Sequence, residues 1–394
     1  MGFPAYADLL SDSRAKLSMR NFYFNSDNRD GTAKPLLESA MHSPHAPVRP
    51  EWLAQVNEAP LEPQRAIIDA HHHLWDRPGQ RYLVEDYLAD MTCGHRIVAS
   101  VYVQCRSMLD MDRPEPFQPV GEVAYANGVA AYSASGRLGP LRLCAAIVAG
   151  ADLMLGDGVV EVLEEMRQRG GSRLRGVRNT TAWHADPRLV SNPRPPPADV
   201  LGAPAFRRGV AQLQRHELVL DIWAYHTQLA EVIELAEAFP EQVIVLDHLG
   251  GPLGAGPYAG QREEVFRHWS TDLRRLAQCP NVRLKLGGLG MRVAGFDLDT
   301  QALPPGSASL AQLWRPYLLK AIDCFGVERC MFESNFPVDK GMYGYGVLWN
   351  TFKRVVADFS AISVVLPARS TAFPERGWKQ WPQSGGRGRF PVLQ

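Results

Sequence analysis

Three consecutive histidines at the end of a short apolar run are the side chains best suited to chemistry in this chain. Ile67-Ile68-Asp69-Ala70 leads directly into His71, His72 and His73. Because side chains alternate between the two faces of a strand, we expect His71 and His73 on one face and His72 on the other. Two imidazoles on one face provide half of a metal or anion site. The alternative is a histidine-rich strand end without chemistry.

Polar side chains also follow later strand-like runs, and their joint pattern favours a functional site over unrelated structural roles. Each one alone has a structural alternative. Arg178 could be an ion-pair partner, His226 could be a loop residue, and Lys285 is expected to be structural rather than catalytic. The polar residues at these ends are Gln104, Arg178, Asn179, Trp223, Tyr225, His226, Asp247, His248, Lys285 and several within 333–339.

Eight apolar runs of strand length recur after residue 66, and amphipathic stretches of helical length separate most of them. Such an alternation indicates parallel strands with right-handed crossovers. Eight units predict an α/β fold, a (β/α)8 TIM barrel with active residues at the carboxyl ends of its strands. The alternative, a doubly wound sheet, favours a glycine-rich turn after the first strand, where this chain has histidines. Predicted strands cover 67–75, 97–105, 141–149, 174–180, 217–223, 243–250, 282–288 and 330–337, and predicted helices cover 120–135, 158–169, 205–215, 229–239, 262–278, 309–325 and 347–359.

The two ends of the chain differ in character from the predicted barrel, which spans residues 67–360. Residues 1–66 are predicted to be a largely irregular extension and linker, with a short helix near Trp52. Residues 1–31 resemble a fragment of an OprD-type porin in the stretch Arg20-Asn21-Phe22-Tyr23-Phe24-Asn25, but one strand cannot form a barrel. Residues 361–394 are rich in Pro, Gly, Arg and Ser and are predicted to be irregular. A shifted reading frame near residue 360 is our hypothesis for this change.

The composition argues against several classes of protein. The 394 residues include 42 basic and 42 acidic side chains, so no net charge favours nucleic-acid binding. Six cysteines show neither metal-finger spacing nor a small secreted framework, so we expect a reduced, cytoplasmic protein. No apolar stretch approaches the ~20 residues of a membrane-spanning helix. The expected partner is a small-molecule substrate, and an oligomer is compatible with the sequence.

Four blocks of sequence, in order at four predicted strand ends, resemble the amidohydrolase-related family (amidohydrolase family 2). The resemblance covers residues 67–360 and points to the lactonase-type, metal-dependent hydrolases with a TIM-barrel fold. It implies that His71, His73 and His248 face the barrel mouth and hold one divalent metal ion, zinc or manganese. The blocks are Asp69-Ala70-His71-His72-His73-Leu74-Trp75, Gly176-Val177-Arg178-Asn179, Asp247-His248-Leu249-Gly250-Gly251-Pro252 and Met331-Phe332-Glu333-Ser334-Asn335-Phe336-Pro337-Val338-Asp339.

The last block departs from the family at one position. Relatives commonly have an aspartate after the serine, whereas this chain has Asn335. A carboxylate there binds metal and accepts a proton from the attacking water, but a neutral amide is a weaker ligand and no useful base near pH 7. Asp339, four residues further on, could supply the carboxylate instead. The same branch resembles lactonases that act without metal, so a metal-bound and a metal-free mechanism both follow from the resemblance.

The residues and the resemblance together predict a hydrolase that acts on a small carboxylated lactone or a similar cyclic ester. Water would attack a carbonyl group polarised by the histidines or by the metal ion. Arg178 would hold a substrate carboxylate, and Trp75 and Tyr225 would shape the pocket. His248 is expected to be catalytic, with Asp339 or His226 as the general base. Two alternatives stay open: a metal-dependent non-oxidative decarboxylase of the same family, and a non-catalytic barrel that binds a ligand.

Overall fold

A parallel sheet surrounded by helices confirms the predicted (β/α)8 barrel. The computed structural model describes residues 44–77, 79–192, 194–359 and 392–393. A small hairpin of Trp75–Arg77 and Gln80–Tyr82 follows the first barrel strand, and Val392–Leu393 pairs in parallel with the beginning of that strand. The strands are β1 (Ala66–His72), β2 (Trp75–Arg77), β3 (Gln80–Tyr82), β4 (Arg96–Val103), β5 (Arg142–Gly150), β6 (Leu174–Thr180), β7 (Val219–Trp223), β8 (Ile244–Leu246), β9 (Val282–Leu286), β10 (Cys330–Phe332) and β11 (Val392–Leu393).

The barrel strands pair in the order in which the chain forms them, from β1 and β4 through to β10. The first and last barrel strands, β1 and β10, meet just beyond their carboxyl ends. The Asn335 N–H donates to the His71 carbonyl at 2.9 Å, and the His73 N–H donates to the Phe336 carbonyl at 2.8 Å. The barrel is therefore nearly closed, and the residues after β10 lie beside the histidines of β1.

Helices cover the outside of the sheet because each has an apolar face. In the helix Arg262–Leu276, for example, the buried residues Val265, Trp269, Leu273 and Leu276 recur at helical spacing. The helices are α1 (Pro50–Leu53), α2 (Val84–Met91), α3 (Pro119–Tyr132), α4 (Val159–Gly170), α5 (Pro204–Arg215), α6 (Leu229–Ala238), α7 (Arg262–Leu276), α8 (Ser307–Phe325) and α9 (Tyr345–Val355). Within the described part of the chain, no helix has both the length and the apolar character needed to cross a membrane.

Five barrel strands end earlier than the sequence predicts, and the difference is largest for β8 and β10. The prediction for β8 ran to residue 250 and that for β10 to residue 337, but these strands end at Leu246 and Phe332. His248, Leu249 and Asn335 have φ angles of 53°, 59° and 55°, which lie outside the extended region of a strand. The chain therefore turns at both positions, directly at residues that carry polar groups.

The segment before the barrel contains the short helix expected near Trp52, which is α1. The Trp52 indole donates to the carbonyl of Ala302 at 3.1 Å, and Glu58 accepts hydrogen bonds from Ser307. The described part of this segment is thus attached to the barrel. The division of the chain into extension, barrel and tail stays a prediction. The porin-like stretch and almost all of the altered tail lie outside the described residues.

Candidate active site

The histidines at the end of β1 separate as strand geometry requires. The Nε2 atoms of His71 and His73 lie 3.1 Å apart on the side of the barrel mouth. His72 lies on the other face, where its ring stacks on Tyr87 with the centroids 4.2 Å apart and its Nε2 is 2.9 Å from Ser100 Oγ. His71 and His73 are therefore the pair available for chemistry, and His72 belongs to the packing between sheet and helices.

Both histidines of this pair are neutral near pH 7. Burial and the Lys285 ammonium lower the pKa of His71 to about 4, although nearby carboxylates oppose this shift. Burial and then His71 lower the pKa of His73 well below its usual value. The Nδ1 atom of His73 lies 2.8 Å from the Val103 carbonyl, which accepts its hydrogen. The Nε2 atom of His73 consequently keeps its lone pair toward His71.

Glu333 connects two of the predicted histidines. Its carboxylate places Oε2 2.9 Å from His71 Nδ1 and Oε1 2.7 Å from His248 Nδ1. Burial alone would raise the pKa of this carboxyl, but His248 and His71 lower it to about 2. Burial likewise disfavours charge on His248, and Glu333 more than offsets this, so the pKa of His248 is raised. Potential metal-ligating atoms of the three residues lie within 4.8 Å of one another.

Two consecutive glycines after β9 make room for this cluster. A Cβ atom on Gly288 would lie 2.5 Å from the His248 ring, and one on Gly287 would lie 2.4 Å from Glu333 Cγ. Gly288 also has a φ angle of 69°, which glycine adopts without strain. In the sequence, these glycines are only the last two residues of the predicted strand 282–288. The structure shows that they set the distance between β9 and the cluster.

A buried network of ion pairs lies next to the histidines. The Lys285 ammonium is 2.7 Å from a carboxylate oxygen of Asp221 and 2.7 Å from one of Asp247. It is also 3.2 Å from His71 Nδ1. Burial and then Asp247 raise the pKa of Asp221 to about 7. Burial alone would raise the pKa of Asp247, but Lys285 and His71 lower it well below its usual value.

Arg178 contributes a second cation to this network. Its guanidinium donates to Asp247 at 3.2 Å and to the Gln104 carbonyl, and it lies 3.5 Å from His71 Nε2. Its side chain is 11% exposed. Arg178 thus lies beside the histidine pair and is largely committed to partners inside the protein.

Asn335 and Asp339 form a unit on the β10 side of the site. The Asn335 amide donates to Asp339 Oδ1 at 3.0 Å. The other oxygen of Asp339 accepts from the Tyr343 hydroxyl at 2.6 Å and from the Gly290 N–H at 3.1 Å. Burial raises the pKa of Asp339 to about 7, although these donors act in the opposite direction. A carboxylate four residues after Asn335 is therefore held next to it.

The remaining predicted residues surround the site at different depths. Trp75 stacks on His73 with the ring centroids 5.9 Å apart. The Tyr225 hydroxyl lies 2.7 Å from Ser191 Oγ, so it anchors the loop that follows β6. His226 accepts a hydrogen bond from the Leu253 N–H at 3.3 Å through Nδ1. Burial lowers the pKa of His226 to about 4.

Sequence reasoning did not identify Asp221, and it gave no role to Glu333 or Trp223, which it placed at strand ends. Glu333 lies near the polar end of the predicted strand 330–337, two residues before Asn335, and this position was a signal for a functional role. Asp221 is a charged residue inside the apolar strand β7, which is a signal for a buried partner such as Lys285. The Trp223 ring lies 4.8 Å from the His248 ring, and its indole donates to Ser191 Oγ at 3.0 Å.

Known proteins show the same architecture. A family model described as amidohydrolase matches residues 68–362. The uncharacterized protein y4mH of Sinorhizobium fredii is 32% identical over 317 residues, which is 75% of this chain and 93% of that protein. The L-fucono-1,5-lactonase of Burkholderia multivorans is 28% identical over 335 residues, 78% of this chain and 96% of that enzyme. A crystal structure of a Burkholderia multivorans amidohydrolase with bound zinc has a TM-score of 0.56 and 26% identity, over 79% of this chain and 96% of that chain.

Proposed function

Because the chain belongs to the amidohydrolase family, we propose that it hydrolyses a small carboxylated lactone or a similar cyclic ester. The observation that carries this proposal is the group of His71, His248 and Glu333 at the barrel mouth, beside the His71–His73 pair. Such a group can polarise a carbonyl and orient water. The relative described as L-fucono-1,5-lactonase supports a lactone as the class of substrate.

The donor atoms of the site fit a divalent metal ion. With the hydrogens of His71 and His73 on their Nδ1 atoms, which lie 2.9 Å from Glu333 Oε2 and 2.8 Å from the Val103 carbonyl, both Nε2 lone pairs face each other at 3.1 Å. Two imidazole ligands of a tetrahedral zinc ion lie about 3.3 Å apart, so the observed spacing suits such an ion. A bound zinc or manganese ion would lower the pKa of its water ligand and supply hydroxide near neutral pH. Without metal, the neutral pair is satisfied when the His71 hydrogen lies on Nε2 and donates to His73 Nε2, while the Lys285 ammonium donates to His71 Nδ1.

The protein's own residues have the following proposed roles. His248, held by Glu333 through Nδ1, directs its other ring nitrogen toward the reacting group and polarises the carbonyl. Asp339 accepts the proton of the attacking water, since its pKa of about 7 suits a general base. His226 is the second candidate for this base. Trp75 supplies an apolar wall against His73.

The test is a panel of lactones, neutral and carboxylated, assayed for acid release with a pH indicator, with and without added zinc or manganese. L-fucono-1,5-lactone is the neutral starting member. Lactones also open spontaneously, so a His71→Ala/His248→Ala double variant at equal concentration provides the background. We expect the wild type to exceed this background by at least a hundredfold on one class of lactone. Hydrolysis equal to the background across the panel would overturn the proposal.

A further inference from the structure

Three guanidinium groups gather around three consecutive residues after β4. Arg178 donates to the Gln104 carbonyl, and Arg77 donates to the Cys105 carbonyl. The third group is the side chain of Arg106, whose φ angle is 58°. This left-handed backbone is uncommon for a residue other than glycine. The loop after β4 therefore brings together positive charges from β2, β6 and its own sequence.

These groups lie over the candidate active site. The Arg77 guanidinium is 4.1 Å from the centre of the Trp75 ring, and that ring stacks on His73. Arg106 donates to Thr180 Oγ1 at 3.0 Å, and Thr180 is the last residue of β6, two positions after Arg178. The carboxyl ends of barrel strands form one rim, so the cations and the histidine pair share the same mouth.

The three cations differ in their partners. Arg178 forms an ion pair with Asp247 at 3.2 Å. Within the described ranges, Arg77 and Arg106 form no ion pair and bind neutral acceptors, the latter Thr180 and the side-chain oxygen of Asn192. Burial and the charges of neighbouring arginines lower the pKa of Arg106. Among the residues that the structure describes, these two cations at the mouth thus have no carboxylate within ion-pair distance.

We propose that Arg77 and Arg106 bind a carboxylate of the substrate, which makes them the residues that select an acidic lactone over a neutral one. This inference rests on the proposed function and names the residues of the same site that recognise the carboxylate of the substrate. Guanidinium groups favour carboxylates because their planar donors match two oxygens at once. In this arrangement Arg178 positions Asp247 and the loop, while the lactone carbonyl lies at the histidines.

Calorimetric titration with succinate at low salt measures binding at this site in the absence of turnover. Succinamide, its neutral counterpart, is the matched ligand. We expect the wild type to prefer succinate, and Arg106→Gln and Arg77→Gln each to weaken succinate binding by about tenfold to a hundredfold, as for loss of one charged hydrogen-bonding partner. Arg106→Lys should restore part of the affinity. Arg275→Gln, at an exposed position on α7, is the control and should bind as the wild type.

Two results would overturn the proposal: a wild type that binds succinate no better than succinamide, or unchanged succinate binding in the Arg77→Gln/Arg106→Gln double variant. Circular dichroism of each variant separates lost binding from lost folding, and only folded variants are compared. Succinate binding that depends on both arginines, together with no hydrolysis of any lactone, would retain this site and reject the proposed hydrolysis. Lactone hydrolysis that neither substitution changes would support the proposed hydrolysis and reject the carboxylate site.

Discussion

Two carboxylates in this site each contact two neighbouring side chains, one with each oxygen atom. Glu333 uses one oxygen for His71 and the other for His248, and Asp339 uses one for Asn335 and the other for Tyr343. Each ring nitrogen or amide that is fixed in this way leaves its opposite atom available for substrate or metal. The chemistry of the site consequently depends as much on Glu333 as on the histidines.

His248→Ala should lower kcat on a responsive lactone by about a hundredfold or more, because a positioned imidazole at the carbonyl is lost. The fold should persist, since His248 is a single side chain beside glycines. Turnover and thermal unfolding measure the two effects separately. His268→Ala, at an exposed position on α7, is the matched control. Wild-type turnover in the His248 variant would remove this residue from the mechanism.

Asn335→Asp should make the protein less stable in the presence of a chelator and more responsive to zinc. The new carboxylate faces Asp339 in place of a donor at 3.0 Å, so a hydrogen bond becomes a repulsion worth about 1–3 kcal/mol. A metal ion offsets this charge. Thermal unfolding with chelator and with added zinc is the measurement. Asn335→Gly is the control, because glycine adopts the same positive φ angle and carries no carboxylate. An equal response to zinc in both variants would contradict the prediction.

At the scale of elements, the sequence predicted the strands because apolar residues and turns alternate along the chain. It placed His71, His73 and His248 at strand ends for the same reason. It could not place Glu333 between two histidines, since that contact joins β1, β8 and β10, which are far apart in sequence. Nor could it show that Gly287-Gly288 after β9 sets the space for His248 and Glu333.

Gly288→Ala tests whether β9 sets the position of His248. The substitution adds a Cβ atom 2.5 Å from the His248 ring at a φ angle of 69°, so we expect a loss of about 1 kcal/mol or more in unfolding free energy and at least tenfold in kcat. Gly260→Ala has the same kind of backbone, with a φ angle of 77°, but open space around the added atom. The Gly260→Ala variant should have a lower unfolding free energy but an unchanged kcat. Equal kcat values for both variants would show that Gly288 does not position His248.

At the scale of the whole molecule, two buried residues of α9, Asn350 and Lys353, join this helix to the segment before the barrel. Lys353 of α9 donates to the carbonyls of Leu61 and Glu62, and to His95 Nδ1 at 2.8 Å. The other ring nitrogen of His95 lies 3.2 Å from the Gly346 carbonyl. These contacts join residues about 250 or more positions apart, which no local pattern in the sequence could predict.

The same junction should make stability depend on pH. Burial and then the Lys353 charge lower the pKa of His95 from 6.5 to about 4 in the folded state. As the pH falls, His95 of the unfolded chain therefore binds a proton before His95 of the folded protein does. The contribution of His95 to the unfolding free energy is fully present above pH 6.5 and is lost as the pH falls toward about 4. Between pH 7 and pH 5, His95 should account for about 2 kcal/mol of the decrease in unfolding free energy. Urea unfolding of the wild type and of His95→Gln, which keeps an acceptor for Lys353 but does not titrate, measures this difference. Identical pH dependence in the two proteins would show that the junction does not exclude the proton.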